Sequence, residues 1–75
     1  MTIEMIALDL HGVTYEEVPR ICHTFINTNW GLELKIITGN SDEMKRIVFS
    51  VLRQYNLQFY TDNGLYCGSI RIYTN

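Results

Sequence analysis

Two apolar stripes at helical spacing, each preceded by a short alternating apolar run, constrain this chain more than any other feature. Val18, Ile21, Cys22, Phe25 and Ile26 recur at i, i+3, i+4, i+7 and i+8, and Met44, Ile47, Val48, Val51, Leu52 and Tyr55 repeat the pattern. Each series lays one continuous apolar band along a helix. Residues 5–10 read as a strand, with Ile6, Leu8 and Leu10 on one face and Ala7 and Asp9 on the other. Leu32 to Ile37 reads as a second, with Leu34 and Ile36 opposed to Glu33, Lys35 and Ile37.

The punctuation between these runs fixes their ends. Thr14-x-x-Glu17 fits a capping box, in which hydroxyl and carboxylate satisfy orphan amides of a first turn. Pro19 fits that start poorly, because it removes an early hydrogen bond, and fits better if the first turn is irregular. Asn29-Trp30-Gly31 ends the first helix, with Gly31 placed for a left-handed cap. Ser41 or Asp42 caps the second helix, and Asp42 and Glu43 suit the positive end of its dipole. Leu57 to Thr61 and Leu65 to Tyr73 read as strands joined across Asp62-Asn63-Gly64, since Asn-Gly favours a hairpin turn. Gly68 marks a bulge or kink in the last strand.

The resulting order is β-α-β-α-β-β. Right-handed crossovers put both helices on one side of the sheet, giving an α/β two-layer sandwich with a four-stranded mixed sheet. The expected core is Ile6, Leu8, Leu10, Val18, Ile21, Cys22, Phe25, Ile26, Leu34, Ile36, Ile47, Val48, Val51, Leu52, Ile70 and Ile72. Strand order stays open. A chain of 75 residues reads as one standalone domain over 1–75, and such a chain buries only about 60% of its unfolded surface, so one well-patterned core must hold it.

Composition excludes several classes. There is no apolar run near 18 residues, so no membrane span is expected. Met1 to Leu8 include Glu4 and no basic leader, so no signal peptide is expected and the cytoplasm is the expected location. Cys22 and Cys67 are too few for a disulfide framework and lack metal-ligand spacing. No Walker loop, dinucleotide fingerprint or nucleophile elbow is present. The net charge of −2 means that any nucleic-acid binding must rest on local charge.

Chemistry-bearing residues concentrate at the strand ends. Leu8-Asp9-Leu10-His11-Gly12 sets an acid and an imidazole two apart, on one face if the strand continues. Parallel first and second strands would bring its turn beside Thr38-Gly39, each turn opening a helix whose amino terminus offers unpaired amides. Asp42 and Glu43 oppose an anion at the second of these. The sheet face left bare by the helices should carry Asp9, His11, Lys35, Arg71 and Tyr73, joined by Gln58 and Tyr60. Polar and aromatic side chains around two cations suit a sugar-phosphate backbone and a stacked base. The plainer interpretation is a solvated face of a one-sided sheet, with Gly12 and Gly39 serving only tight turns.

These residues resemble the Smr (small MutS-related) domain family. Its first motif, Leu-Asp-x-His-Gly, is intact as Leu8-Asp9-Leu10-His11-Gly12, and Glu16 and Glu17 resemble its acid-rich helix start. Its Thr-Gly-x-Gly motif is Thr38-Gly39-Asn40-Ser41 here, and its closing strand is matched loosely by Gly68-Ser69-Ile70-Arg71-Ile72. The similarity runs over about residues 6–73. It implies a fold similar to the carboxyl-terminal domain of bacterial translation initiation factor three. It also implies a DNA- or RNA-binding module, often a nicking or RNA-cleaving endonuclease, with the ribosome as a further partner. The family's Asp-x-His pair carries over to Asp9 and His11, and its Gly-x-Gly loop to Gly39 and Asn40. Ser41 departs from the second glycine, and a positive φ there would be penalised.

Three functions follow as expectations. In a phosphodiesterase, His11 acts as general base or acid and Asp9 orients the imidazole or holds a cation. Lys35 and Arg71 neutralise phosphate, and the reaction runs with or without a divalent metal ion. Gly12, Thr38, Gly39, Asn40 and Ser41 complete the nucleic-acid contacts. In a non-catalytic RNA- or DNA-binding module the same surface binds with strong salt dependence. In a protein-interaction module Tyr15, Trp30 or Tyr66 is the anchor. A monomer is the expected state.

Overall fold

The computed structural model describes residues 6–61 and 68–74. Six elements follow in order: β1 (Ile6–Asp9), α1 (Val18–Thr28), β2 (Glu33–Ile37), α2 (Asp42–Gln54), β3 (Gln58–Thr61) and β4 (Ser69–Tyr73). The β-α-β-α-β-β order is therefore the one the periodicity predicts. The expected Asp62-Asn63-Gly64 turn, Cys67 and Tyr66 lie outside the described residues, as does the predicted start of the first strand at Met5.

The sheet order is β1-β2-β4-β3. β1 and β2 run parallel, as a β-α-β crossover requires, while β4 lies antiparallel to both β2 and β3. The last strand thus inserts between its hairpin partner and β2. Both helices contribute to a single core together with the strands' apolar faces. That core comprises Leu10, Val18, Cys22, Ile26, Leu34, Ile36, Met44, Val48, Val51, Leu52, Ile70 and Ile72, with Ile6, Leu8, Ile21, Phe25 and Ile47 packed at its margin. Burial raises the Cys22 thiol from 9.0 to about 11, so it is a packing group and not a nucleophile.

Two local details differ from the sequence reading. Helix α1 begins at Val18, not at Thr14, and Glu17 in its cap position makes no side-chain capping bond. Pro19 is the reason. In a helix opening after Thr14 its ring would meet the carbonyl four residues back, whereas as the second helical residue its missing N–H costs nothing. The preceding turn is closed instead by the Glu17 N–H donating to the Thr14 carbonyl at 3.0 Å. The Glu17 carboxylate pairs with Arg20. Gly68, read as a bulge or kink, is a point of close backbone approach to Gly39.

The α2 start follows expectation: Ser41 caps it by accepting from the Met44 N–H at 3.1 Å. One packing contact falls outside the predicted stripes. Phe49, on the flank of α2, stacks on Phe59 of β3 with centroids 5.2 Å apart. That contact holds the edge strand β3 against the helices, and it lies beside the stripe because β3 is off-centre in the sheet.

Candidate functional site

The first turn is built by Asp9. The strand ladder continues one residue beyond β1, with the Leu10 N–H donating to the Ile37 carbonyl at 3.0 Å. The Asp9 carboxylate then accepts from the His11 backbone N–H at 2.9 Å, and the Val13 N–H donates to the Leu10 carbonyl at 3.0 Å. His11 and Gly12 are the central residues of this tight turn, and Gly12 has φ +78°. A positive φ at that place is open to glycine at no steric cost. Asp9 therefore fixes the main chain that carries His11; among the described residues, no hydrogen bond joins its carboxylate to the imidazole. His11 itself is exposed.

The second turn is tied to β4. The N–H groups of Thr38 and Gly39 both donate to the Gly68 carbonyl, at 2.7 and 3.0 Å. The buried Thr38 hydroxyl donates toward the carbonyls of Gly68 and Gly39 at 3.2 and 3.1 Å. Gly39 has φ +70°. These groups are spent on docking β4 and are not aimed at solvent. Ser41 sits at φ −79°, ψ 116°, an extended conformation that any residue adopts. The departure from a second glycine thus carries no backbone penalty, and the serine supplies the helix cap.

Between the two turns lies a cleft of about 480 Å³, lined by His11, Gly12, Tyr15, Thr38, Ser41 and neighbouring apolar groups. Tyr15 spans it, its hydroxyl 3.0 Å from Ser41 Oγ. In the sequence Tyr15 stands out only as an exposed aromatic; its role as a strut between the turns depends on a contact 26 residues away and leaves no local signal. A second cleft of about 340 Å³ opens on the other side of the Gly39 loop, lined by Lys35, Ile37, Gly39, Asn40, Gly68 and Ser69.

The bare sheet face assembles as alternation predicts except at His11, because β1 ends at Asp9 and the chain turns there. Register aligns Ala7, Lys35, Arg71 and Tyr60 in one row across all four strands, with Glu33, Tyr73 and Gln58 in a neighbouring row. Lys35 and Arg71 are directly opposite each other, and Tyr60 meets Tyr73 edge to face at 5.7 Å. Tyr60 is 59% exposed. Asp9 is on this same face, while His11 lies beyond the strand end and lines the cleft between the turns.

The predicted residues therefore divide into two groups. Asp9, Gly12, Thr38, Gly39 and Ser41 build the two turns, with His11 exposed on one and Asn40 exposed on the other. Lys35 and Arg71 form the cation row. No group of three His, Cys, Asp or Glu side chains is gathered among the described residues. Among the described residues no helix is long and apolar enough to cross a membrane. Comparison of the chain with models of protein families, with curated proteins and with solved structures gives no match in any of the three.

Proposed function

We propose that the open sheet face binds single-stranded nucleic acid, in the manner of an Smr-like binding module. The observation that carries this reading is the cross-strand row of Lys35, Arg71 and Tyr60, with Tyr73 set against Tyr60. Two adjacent cations suit consecutive phosphates, and an exposed ring beside them suits a base, since every base has a face on which to stack. Strand register fixes where the side chains of the row leave the backbone, so the two cations start from adjacent positions. Lys35 and Arg71 are two of the chain's six Lys and Arg residues, so the electrostatic footprint on this face is small and local, consistent with a chain of net charge −2.

Phosphodiester cleavage is a second reading, favoured by the exposed imidazole of His11 at the lip of the cleft between the turns. A lone imidazole can move one proton near neutral pH. Asp9 supports that chemistry by holding the turn that carries His11, its Oδ1 accepting from the main-chain amide.

Fluorescence anisotropy with labelled single-stranded RNA and DNA tests the proposal. Lys35→Ala/Arg71→Ala is expected to weaken binding about tenfold or more, with an unchanged circular dichroism spectrum. Equal affinity of this folded variant and the wild type would remove the open face from consideration. Gel analysis of the same RNA samples reports cleavage, and loss of cleavage in His11→Ala alone would add the second reading to the first.

A further inference from the structure

The sheet edge opposite the two turns carries a second concentration of aromatic side chains. Trp30 follows the end of α1, Tyr55 closes α2, and Tyr73 ends β4. With Asn56, Leu57 and Gln58 they line a cleft of about 340 Å³. Tyr55 is anchored: its hydroxyl lies 2.6 Å from His23 Nδ1 and accepts from Asn27 Nδ2 at 3.0 Å. Its ring lies 6.1 Å from that of Trp30, tilted by 45°. Trp30 is 53% exposed, so an indole stands open beside a fixed ring. On the far side of the cleft Tyr73 meets Tyr60, which is paired with Arg71 across the strands. The cleft thus adjoins the cation row.

Its chemistry differs from that row. Among the described residues, no charged side chain lines the cleft. Asn56 and Gln58 are exposed, and among the described residues neither carboxamide makes a hydrogen bond. The Thr74 hydroxyl in the cleft wall is already used, accepting from the Gly31 N–H at 2.7 Å and donating to the Leu32 carbonyl at 2.8 Å. Ring faces combined with neutral donors and acceptors suit a planar, uncharged heteroaromatic group, and carboxamides match the edges of bases. A phosphate would find no cation there.

We propose that this cleft receives one unstacked base of the strand whose phosphates lie on Lys35 and Arg71, an inference that rests on the nucleic-acid reading of the open face. Trp30 is the stacking surface, and Asn56 and Gln58 contact the base edge. The site then has a direction along the strand, with phosphates held at mid-sheet and a base held at the edge.

Trp30 is the single tryptophan of the chain, so its emission reports on this cleft. Titrating a single-stranded oligonucleotide into the full chain is expected to quench that emission with the midpoint that anisotropy gives. An abasic strand of equal length is expected to leave it unchanged. Trp30→Ala is expected to weaken anisotropy-detected binding about tenfold, with circular dichroism unaltered. Binding by anisotropy with no quenching, and unchanged by Trp30→Ala, overturns the cleft and leaves the open face intact. No anisotropy change with any strand removes both. Quenching by tetramethylammonium but not by the strand overturns the proposal in favour of a cage for quaternary ammonium groups.

Discussion

Gly39 and Gly68 meet at one contact, and each is glycine for its own reason. Gly39 needs φ +70° but has nothing within 4 Å of an added Cβ. Gly68 would place a Cβ 3.1–3.3 Å from the Gly39 backbone, which has no flexible end to move aside. Gly68→Ala is therefore expected to destabilise the fold by about 1–3 kcal/mol, measured as a lower urea midpoint at unchanged slope. An unchanged midpoint would mean that β4 docks on β2 without this close approach. The two glycines differ in how far their neighbours in sequence reveal them. Gly12 and Gly39 were visible as turn glycines, because the residues around them form strand-to-helix junctions. The demand on Gly68 comes from a backbone that follows β2, and no neighbour in sequence announces it. Asp9 is similar: its spacing from His11 suggested a group that orients the imidazole or holds a cation, and nothing local announced that its carboxylate also closes a turn on the His11 amide.

At the scale of elements, the helices and strands were legible because each has a single apolar band with its own period. The start of α1 was not, since a capping box and Pro19 give opposing signals and the steric demand of the proline ring prevails. Strand order was not legible either. The insertion of β4 between β2 and β3 depends on long-range docking, in which two amides from the β2 turn bind the Gly68 carbonyl. The second helix gives a cleaner case. Ser41 caps it and is bridged to Tyr15. Ser41→Ala is expected to cost about 1 kcal/mol through the lost cap, measured by denaturant unfolding. A Tyr15→Phe variant separates the strut from the cap: a loss in Tyr15→Phe as large as that in Ser41→Ala would assign the effect to the bridge between the turns.

Across the whole molecule, the chain places turns that carry the motif residues at one edge of the sheet and an aromatic cleft at the other. A face with two cations joins them. The motif residues thus mark a well-built edge, and the binding surface proposed for the chain lies mainly on the sheet between. That surface was partly legible: alternation put Lys35, Arg71, Tyr60 and Tyr73 on one face, while their arrangement in adjoining rows required the register. Because only Lys35 and Arg71 of the chain's six basic residues stand in the row, binding should be weakly salt-dependent. The most direct measurement is the affinity for a single-stranded oligonucleotide as a function of salt concentration. Two phosphate contacts predict a log–log slope of about −1.4, falling toward zero in Lys35→Ala/Arg71→Ala. A slope several times steeper, or one that the double substitution leaves unchanged, would contradict the open face as the site of binding.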